Sequence, residues 1–259
     1  MDTKKSISGK TRLTIRKKIK NHKKLQITAN SINKGYSTIL GPLHTLPDFL
    51  IIGSAKCGTS SLYEYLIKHP NIESAIGKEI NYFDMQYEKG INWYKTYFPS
   101  LIHKNISKNI FHKKLITGEA TPRYIDHPLA IKRIKNNLPN IKLIVMLRNP
   151  VDRAYSHWNM MVTHKHENLS FEDAIEQEEK RISSLYEKMN MNKKFYSKEY
   201  FWYGYLERST YINKLKRWFE YFPRKQFLIL KREELFIEPD TTYKKVLDFL
   251  KLEKLDLGN

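Results

Sequence analysis

A glycine-rich turn between a buried strand and a helix is the feature that most constrains how this sequence can fold. The apolar run Asp48–Ile52 is typical of a buried strand and leads into the turn Gly53–Ser61, GSAKCGTSS. A helix is predicted over Thr59–His69, because the following proline disfavours its continuation. Backbone N–H groups in such a turn, together with the positive end of the helix, attract phosphate. The segment therefore predicts an α/β fold with a phosphate-binding turn.

The lysine of this turn is displaced from its place in the ATP-binding P-loop. That motif has lysine directly after its second glycine, whereas Thr59 follows Gly58 here and the lysine is Lys56, inside the loop. From there Lys56 can reach a terminal phosphate or sulfate from the other side. The hydroxyls of Thr59, Ser60 and Ser61 can bind phosphate and cap the helix. An ordinary turn with a surface lysine is the alternative interpretation of this loop alone.

An arginine and a serine that follow a predicted central strand are a second candidate for binding phosphate. The apolar run Ile141–Leu147 leads directly into Arg148, and Pro150 is a favourable first residue for a helix. Ser156 lies about two turns into that helix. Ligands of open α/β sheets bind at the carboxyl ends of strands, and the arginine fork suits phosphate. The pair predicts a second phosphate site, with a structural ion pair and a small packing serine as the alternative.

Two phosphate sites on one sheet predict a nucleotide that is phosphorylated in two places, such as a 5′-phosphosulfate with a 3′-phosphate. Predicted strands at 48–52, 115–118, 141–147 and 226–230 alternate with predicted helices at 59–69, 127–138, 150–164, 203–222 and 241–250. Residues 79–84 are predicted to be extended and residues 89–98 helical. The alternation predicts an α/β, P-loop-like three-layer domain with a central parallel sheet and helices on both faces.

Positive charge is concentrated at the start of the sequence. Residues 1–45 contain eleven Lys and Arg residues and one acidic residue, so they carry +10 of the formal net charge of +19. We interpret residues 1–45 as a basic, disordered leader and residues 46–259 as one domain. A weak contact of the leader with an anionic membrane surface is the alternative, and no specific nucleic-acid binding is expected. The domain is itself basic, which favours an anionic ligand.

Cysteine usage and hydropathy indicate where such a chain works. The single cysteine, Cys57, excludes an internal disulfide and indicates a reducing compartment. The N-terminus has no apolar signal segment, and no apolar run approaches the roughly 20 residues that span a bilayer. A cytoplasmic location is therefore expected. The histidines and the cysteine have no metal-ligand spacing, and no metal is expected.

Five stretches of the sequence together form a recognisable pattern. They are Ile51–Gly53 with Lys56–Thr59, Lys78–Asp84, Lys89–Tyr94 with Phe98–Pro99, Gly118–Tyr124, and Arg148–Pro150 with Arg153–Ser156. In this order they resemble the sulfotransferases that use 3′-phosphoadenosine 5′-phosphosulfate (PAPS). The resemblance is closest to the heparan sulfate N- and 3-O-sulfotransferases and their bacterial relatives, and it extends from about residue 46 to the C-terminus. One stretch has little specificity, whereas five in the family's order and approximate spacing are specific.

The resemblance implies transfer of a sulfuryl group from PAPS to a hydroxyl or amine, expected to be on a carbohydrate. It makes Glu79 the catalytic base and Lys78 a stabiliser of nearby charge, and it places the 3′-phosphate at Arg148 and Ser156. It places the 5′-phosphosulfate at Lys56, Cys57, Gly58, Thr59, Ser60 and Ser61. Sulfuryl transfer is analogous to phosphoryl transfer, and a lysine can neutralise the leaving phosphate without a metal.

The sequence departs from the heparan sulfate 3-O-sulfotransferase pattern in two places. Ala120 stands where that pattern has lysine after Gly-Glu, and Arg123 is the candidate to replace the missing charge. Those enzymes also continue past the last helix with a disulfide-containing segment and a basic loop over the 3′-phosphate, whereas this sequence ends at Asn259. Either the sequence is a fragment or the protein closes its nucleotide site differently.

Two other functions fit parts of the sequence. A P-loop nucleotide kinase or NTPase would have lysine after Gly58 and an acidic Mg²⁺ ligand at a strand end, where Thr59 and Arg148 stand instead. A non-catalytic basic module that binds acidic glycan or nucleic acid would lose its ligand in salt and keep it without Lys56.

Several aromatic and histidine residues need a separate interpretation. His157 is expected to be a packing or helix-surface residue rather than a base. The aromatic residues expected to stack on a sugar are Tyr82, Tyr124 and Trp202, and those expected in the core are Trp93, Tyr94, Tyr97 and Phe98.

Overall fold

The computed structural model describes residue 37 and residues 39–109 and 114–257. Most of the predicted leader, residues 1–45, therefore lies outside the described residues. The described chain contains a sheet of five parallel strands in the order β2-β3-β1-β4-β5. The strands are β1 Phe49–Gly53, β2 Ile72–Ser74, β3 Ile116–Ala120, β4 Lys142–Leu147 and β5 Phe227–Lys231.

Apolar side chains on both faces of the sheet bury its central strands. In β1, Leu50 and Ile52 join a core cluster on one face, whereas Phe49 and Ile51 join a second cluster on the other face. β4 alternates between the same two clusters. A parallel strand that is buried on both faces has a nearly continuous apolar sequence, which is the pattern of both strands here.

Helices cover both faces of this sheet. In chain order they are α1 Thr59–Leu66, α2 Ile91–Lys95, α3 Leu101–Asn109, α4 Ala130–Asn137, α5 Pro150–Thr163, α6 Phe171–Glu176, α7 Glu178–Ile182, α8 Leu185–Met191, α9 Lys198–Tyr203, α10 Tyr211–Tyr221, α11 Arg232–Ile237 and α12 Pro239–Leu250. Ile134 of α4 and Trp218 of α10 pack in the first cluster, and Leu62 of α1 and Leu247 of α12 pack in the second. The predicted three-layer α/β fold is confirmed.

Two segments in the first half of the chain differ from their predicted secondary structure. Residues 79–84, predicted to be extended, form a turn in which Glu79 and Asn81 have φ angles of 53° and 54°. The helix predicted over 89–98 is only the five-residue α2. The sheet also has an edge strand, β2, that was not predicted, because only Ile72 of its three residues is buried.

The helix predicted over 203–222 is broken near its start. α9 ends at Tyr203, and a Cβ added at Gly204 would lie 2.7 Å from the carbonyl oxygen of Tyr200. A 3₁₀ turn, Glu207–Ser209, then directs Arg208 into the interior before α10 begins. This break brings a second arginine to the carboxyl end of the sheet.

Candidate active site

A cavity of about 590 Å³ opens at the carboxyl ends of β1 and β4. Its lining includes most of the predicted site residues, namely Lys56, Gly58, Thr59, Ser60, Glu79, Arg148 and Ser156. Cys57 is fully buried beside it, Lys78 is exposed outside its lining, and Ser61 is half-buried in α1 and also outside its lining. The fold therefore brings both predicted loops and the predicted base to one cleft.

Gly58 is required at the point where the first loop becomes α1. Its φ of +84° lies in the left-handed region, and an added Cβ would lie 3.2 Å from Cε2 of Phe236. Gly58 is the N-cap of α1, and no side chain caps the helix. The prediction that Thr59, Ser60 and Ser61 cap it was wrong, because the helix already begins at Thr59. No side-chain oxygen therefore competes with an anionic ligand for the first N–H groups of the helix.

The ammonium of Lys56 is partly desolvated in the cleft. Burial lowers the pKa of Lys56, and the nearby charges of Arg148 and then Arg153 lower it further. The nearest polar contact of its Nζ is the sulfur of Met160 at 3.6 Å, and no carboxylate within the described ranges is within salt-bridge distance. An anion that reached Lys56 would therefore meet a cation without a competing partner.

Arg148 lies where β4 passes into α5. Asn149 caps that helix by accepting the N–H of Val151 at 3.0 Å, and Pro150 fills the first helical position. The Nε of Arg148 is buried with no hydrogen-bond partner among the residues that the structure describes. Its nearest carboxylate oxygen is Oδ2 of Asp152, at 4.0 Å. Because this ion pair is long and the Asp152 side chain is 59% exposed, a ligand anion can compete for the guanidinium.

The charge lining the cleft is strongly one-sided. Five cationic side chains line it, Lys56, Arg123, Arg148, Arg208 and Arg232, and Glu79 is the one acidic side chain among its described lining residues. Sequence reasoning named Arg123 but missed the last two arginines. Arg232 directly follows β5, so the rule that identified Arg148 at the end of β4 would also have found it.

A buried arginine fixes α5 against the segment that follows α9. The guanidinium of Arg153 donates to Ser209 Oγ at 2.7 Å and to the carbonyl of Tyr205 at 2.8 Å. Burial lowers the pKa of Arg153 to about 10, and the charge of Arg208 contributes. His157, one turn along α5, is also buried and packs edge-on against the Tyr205 ring at 5.2 Å between centroids. Burial, Arg208 and Arg153 hold its pKa well below the usual range.

The sequence pattern described as the sulfotransferase domain matches residues 46–257. The chain belongs to the sulfotransferase family. A sulfotransferase from Alicyclobacillus acidocaldarius has a similar structure, with a TM-score of 0.61 and 30% identity over 81% of this chain and 83% of that one. The kinase interpretation is therefore set aside.

Curated relatives of this sulfotransferase domain include enzymes of glycan sulfation. The mouse heparan sulfate glucosamine 3-O-sulfotransferase 3B1 is 30% identical over 81% of this chain and 47% of its own length. The membrane-associated sulfotransferase kil1 of Dictyostelium discoideum is 29% identical over 84% of this chain and 59% of its own length. The chain thus spans about half the length of these curated relatives.

The aromatic side chains of this sulfotransferase divide between core and cleft. Tyr82 and Tyr124, predicted to stack on a sugar, are fully buried, because they pack beneath the cleft in the first core cluster. Trp202 is half-buried, lines the cleft and stacks on His166 with ring centroids 4.2 Å apart. It remains the candidate platform for a sugar.

The described part of this sulfotransferase contains no cluster of three or more His, Cys, Asp or Glu side chains that could hold a metal ion. Over the same residues, none of the helices combines the length and the apolar character needed to cross a bilayer.

Proposed function

We propose that this sulfotransferase moves a sulfuryl group from PAPS to a hydroxyl or amine of a carbohydrate, with Glu79 as the base. The observation that carries the proposal is that Lys56, Arg148, Ser156 and Glu79 line one cleft. PAPS has anionic groups at two separate places, and the cleft offers a cation near each of two strand ends. The carbohydrate acceptor is supported by the heparan sulfate relative.

Donor binding divides between the two loops. The 5′-phosphosulfate would lie at Lys56 and the N-terminus of α1, where the first N–H groups have no capping side chain. The 3′-phosphate would lie at Arg148 and Ser156. Arg148 suits this role because its side chain lines the cleft and its ion pair with Asp152 is long, at 4.0 Å, so a phosphate can bind the guanidinium.

The transfer step is an in-line displacement. The acceptor oxygen or nitrogen attacks sulfur, the bond between sulfur and the leaving phosphate oxygen breaks, and the acceptor proton passes to the carboxylate of Glu79. Lys56 and the start of α1 then neutralise the charge that develops on the leaving phosphate. Lys78 is exposed outside the cleft lining, so its contribution would depend on the bound acceptor.

Calorimetry with 3′-phosphoadenosine 5′-phosphate (PAP) against ATP tests the donor assignment. We expect PAP to bind more tightly, since it carries the 3′-phosphate that the second loop is proposed to hold. Equal or tighter binding of ATP would contradict PAPS as the donor.

The base is tested by Glu79→Gln, with Glu88→Gln as the matched control. Glu88 is an exposed carboxylate nearby, outside the cleft lining. We expect Glu79→Gln to lower the rate of transfer from PAPS to heparan sulfate by about 10²-fold or more while PAP still binds. An undiminished rate in Glu79→Gln would show that another group is the base.

A further inference from the structure

A buried carboxylate lies behind the cleft without lining it. Glu119, near the end of β3, is 1% exposed. Three hydroxyl groups donate hydrogen bonds to it. Tyr94 and Tyr124 donate to Oε1 at 2.6 and 2.9 Å, and Thr121 donates to Oε2 at 2.7 Å. The carboxylate is therefore fully engaged by side chains that belong to the interior.

The carboxylate fixes the direction of these hydroxyl groups. An ionised carboxylate can only accept hydrogen bonds, so each hydroxyl donates its single proton to Glu119. Its lone pairs can then accept hydrogen bonds from other donors. Tyr124 Oη accepts the backbone N–H of Tyr82 at 2.9 Å and that of Phe83 at 3.4 Å. Thr121 Oγ1 accepts the backbone N–H of Asn81 at 3.4 Å. Three successive backbone amides shortly after Glu79 thus donate to hydroxyls whose orientation Glu119 fixes.

The turn that these amides belong to needs such support. Glu79 and Asn81 have positive φ angles of 53° and 54°, and neither is glycine. Non-glycine residues adopt that conformation at a cost in free energy and keep it only where their surroundings enforce it. Within the turn, Asn81 Nδ2 donates to the carbonyl of Glu79 at 2.5 Å. The hydroxyls of Thr121 and Tyr124 connect the amides of the turn to the rest of the fold, and Arg133 donates to the carbonyls of Phe83 and Asp84 at its far end.

We propose that Glu119 is a positioning residue, which orients the Thr121 and Tyr124 hydroxyls so that they hold the turn that aims Glu79 into the cleft. The inference rests on the proposed role of Glu79 as the base. Tyr94 provides an internal control, because its hydroxyl contacts the same carboxylate from α2 and accepts none of the turn's amides. Removal of that hydroxyl weakens the buried network but leaves both links to the turn in place.

Hydrogen exchange of the peptide that covers residues 79–85 tests the anchoring without any acceptor. The measurement is made at about pH 8, where the Glu119 carboxyl, whose pKa burial raises to about 7, is ionised. We expect Thr121→Val and Tyr124→Phe to speed exchange of this peptide by about tenfold, and Thr121→Ser and Tyr94→Phe to leave it near the wild-type rate. Unchanged exchange in Thr121→Val and Tyr124→Phe, or an equal increase in Tyr94→Phe, would overturn the positioning role.

Transfer of labelled sulfate from PAPS to heparan sulfate tests the link to Glu79. We expect Thr121→Val to lower kcat by about tenfold while the Kd for PAP is unchanged, because the base is misplaced and the nucleotide loops are not. In a Glu79→Gln background the same substitution should change kcat by less than about twofold, because the base is already lost. Equal losses in both backgrounds would overturn the inference. A wild-type rate in Glu79→Gln alone would instead overturn the base assignment, which separates the two failures.

Discussion

Arg148→Met should weaken the binding of PAP far more than that of adenosine 5′-monophosphate (AMP), which lacks the 3′-phosphate. The side chain of Arg148 is 18% exposed, so its guanidinium has lost most of its water. It has gained little in return, since Nε has no hydrogen-bond partner among the described residues and the ion pair with Asp152 is long, at 4.0 Å. A phosphate at this place therefore forms a charge-assisted contact in competition with only a long ion pair to a largely exposed carboxylate.

The size of the effect follows from that contact. A hydrogen bond to a charged group contributes about 1.5–3 kcal/mol, and about 1.4 kcal/mol corresponds to tenfold in affinity. We expect Arg148→Met to raise the Kd for PAP by roughly 10- to 150-fold and the Kd for AMP by less than about threefold. Methionine keeps the unbranched apolar part of the side chain, so the change is mainly one of charge and hydrogen bonding.

Calorimetry at fixed ionic strength measures both ligands on the same protein. Arg224→Met is the matched control, because Arg224 precedes β5 and so lies at the amino end of that strand, away from the cleft. Its removal changes the net charge by the same amount. The control should leave both Kd values near those of the wild type. Equal weakening of PAP and AMP by Arg148→Met, or no weakening of either, would refute the assignment of the 3′-phosphate to Arg148.

Three further predictions follow from the same structure. Gly58→Ala, at φ +84° and 3.2 Å from the Phe236 ring, should lower the free energy of unfolding by about 1–2 kcal/mol and weaken PAP binding, measured by denaturation and calorimetry. Burial raises the pKa of Glu119 from 4.5 to about 7, so the contribution of this group to stability is complete below pH 4.5 and is lost as the pH rises through 7. The free energy of unfolding of the wild type should therefore fall between about pH 5 and 8, and in Glu119→Gln this fall should be smaller by about 2 kcal/mol. Trp202→Ala should raise KM for heparan sulfate several-fold and leave the Kd for PAP unchanged, as kinetics and calorimetry would show.

Each of these three predictions can be contradicted by one result. A Gly58→Ala protein with wild-type stability would mean that the left-handed residue and the Phe236 contact adjust freely. A pH profile of stability that is the same with and without Glu119 would mean that burial does not raise the pKa of its carboxyl. An unchanged KM in Trp202→Ala would remove the tryptophan from the acceptor site.

The sequence predicted the central part of the fold well because its signals there are local. β1 and β4 are buried on both faces, so their apolar runs are nearly continuous and stand out from the flanking sequence. β2 has no such signal, since it is a short strand at the sheet edge. The turn at Glu79 could not be predicted from its own residues, because its positive φ angles depend on contacts with Thr121 and Tyr124, about 40 residues away.

The candidate site was predictable where a residue's place follows from its strand. Arg148 directly follows β4, and Lys56 lies in the loop that follows β1, so their position at the carboxyl ends of the strands needs no tertiary knowledge. Arg208 reaches the cleft because the chain breaks at Gly204, whereas the predicted helix continued through this glycine. Tyr124 was misassigned for a related reason, since a tyrosine in a motif can face either the ligand or the layer beneath it.

The one-sided charge of the cleft also has consequences for turnover. Five cations and one carboxylate are among the described lining residues. Arg208 is paired with the buried Asp126, but the lining stays positive and attracts anions, so capture of the donor should slow as salt screens it. The same positive charge slows release of the sulfated product from the cleft, because the product carries one more negative charge than the acceptor from which it was made. Salt should therefore act in opposite directions on the two ends of the cycle, lowering kcat/KM while hastening product release. With the donor bound as proposed, discrimination among anions depends on the spacing of the two loops rather than on their charge.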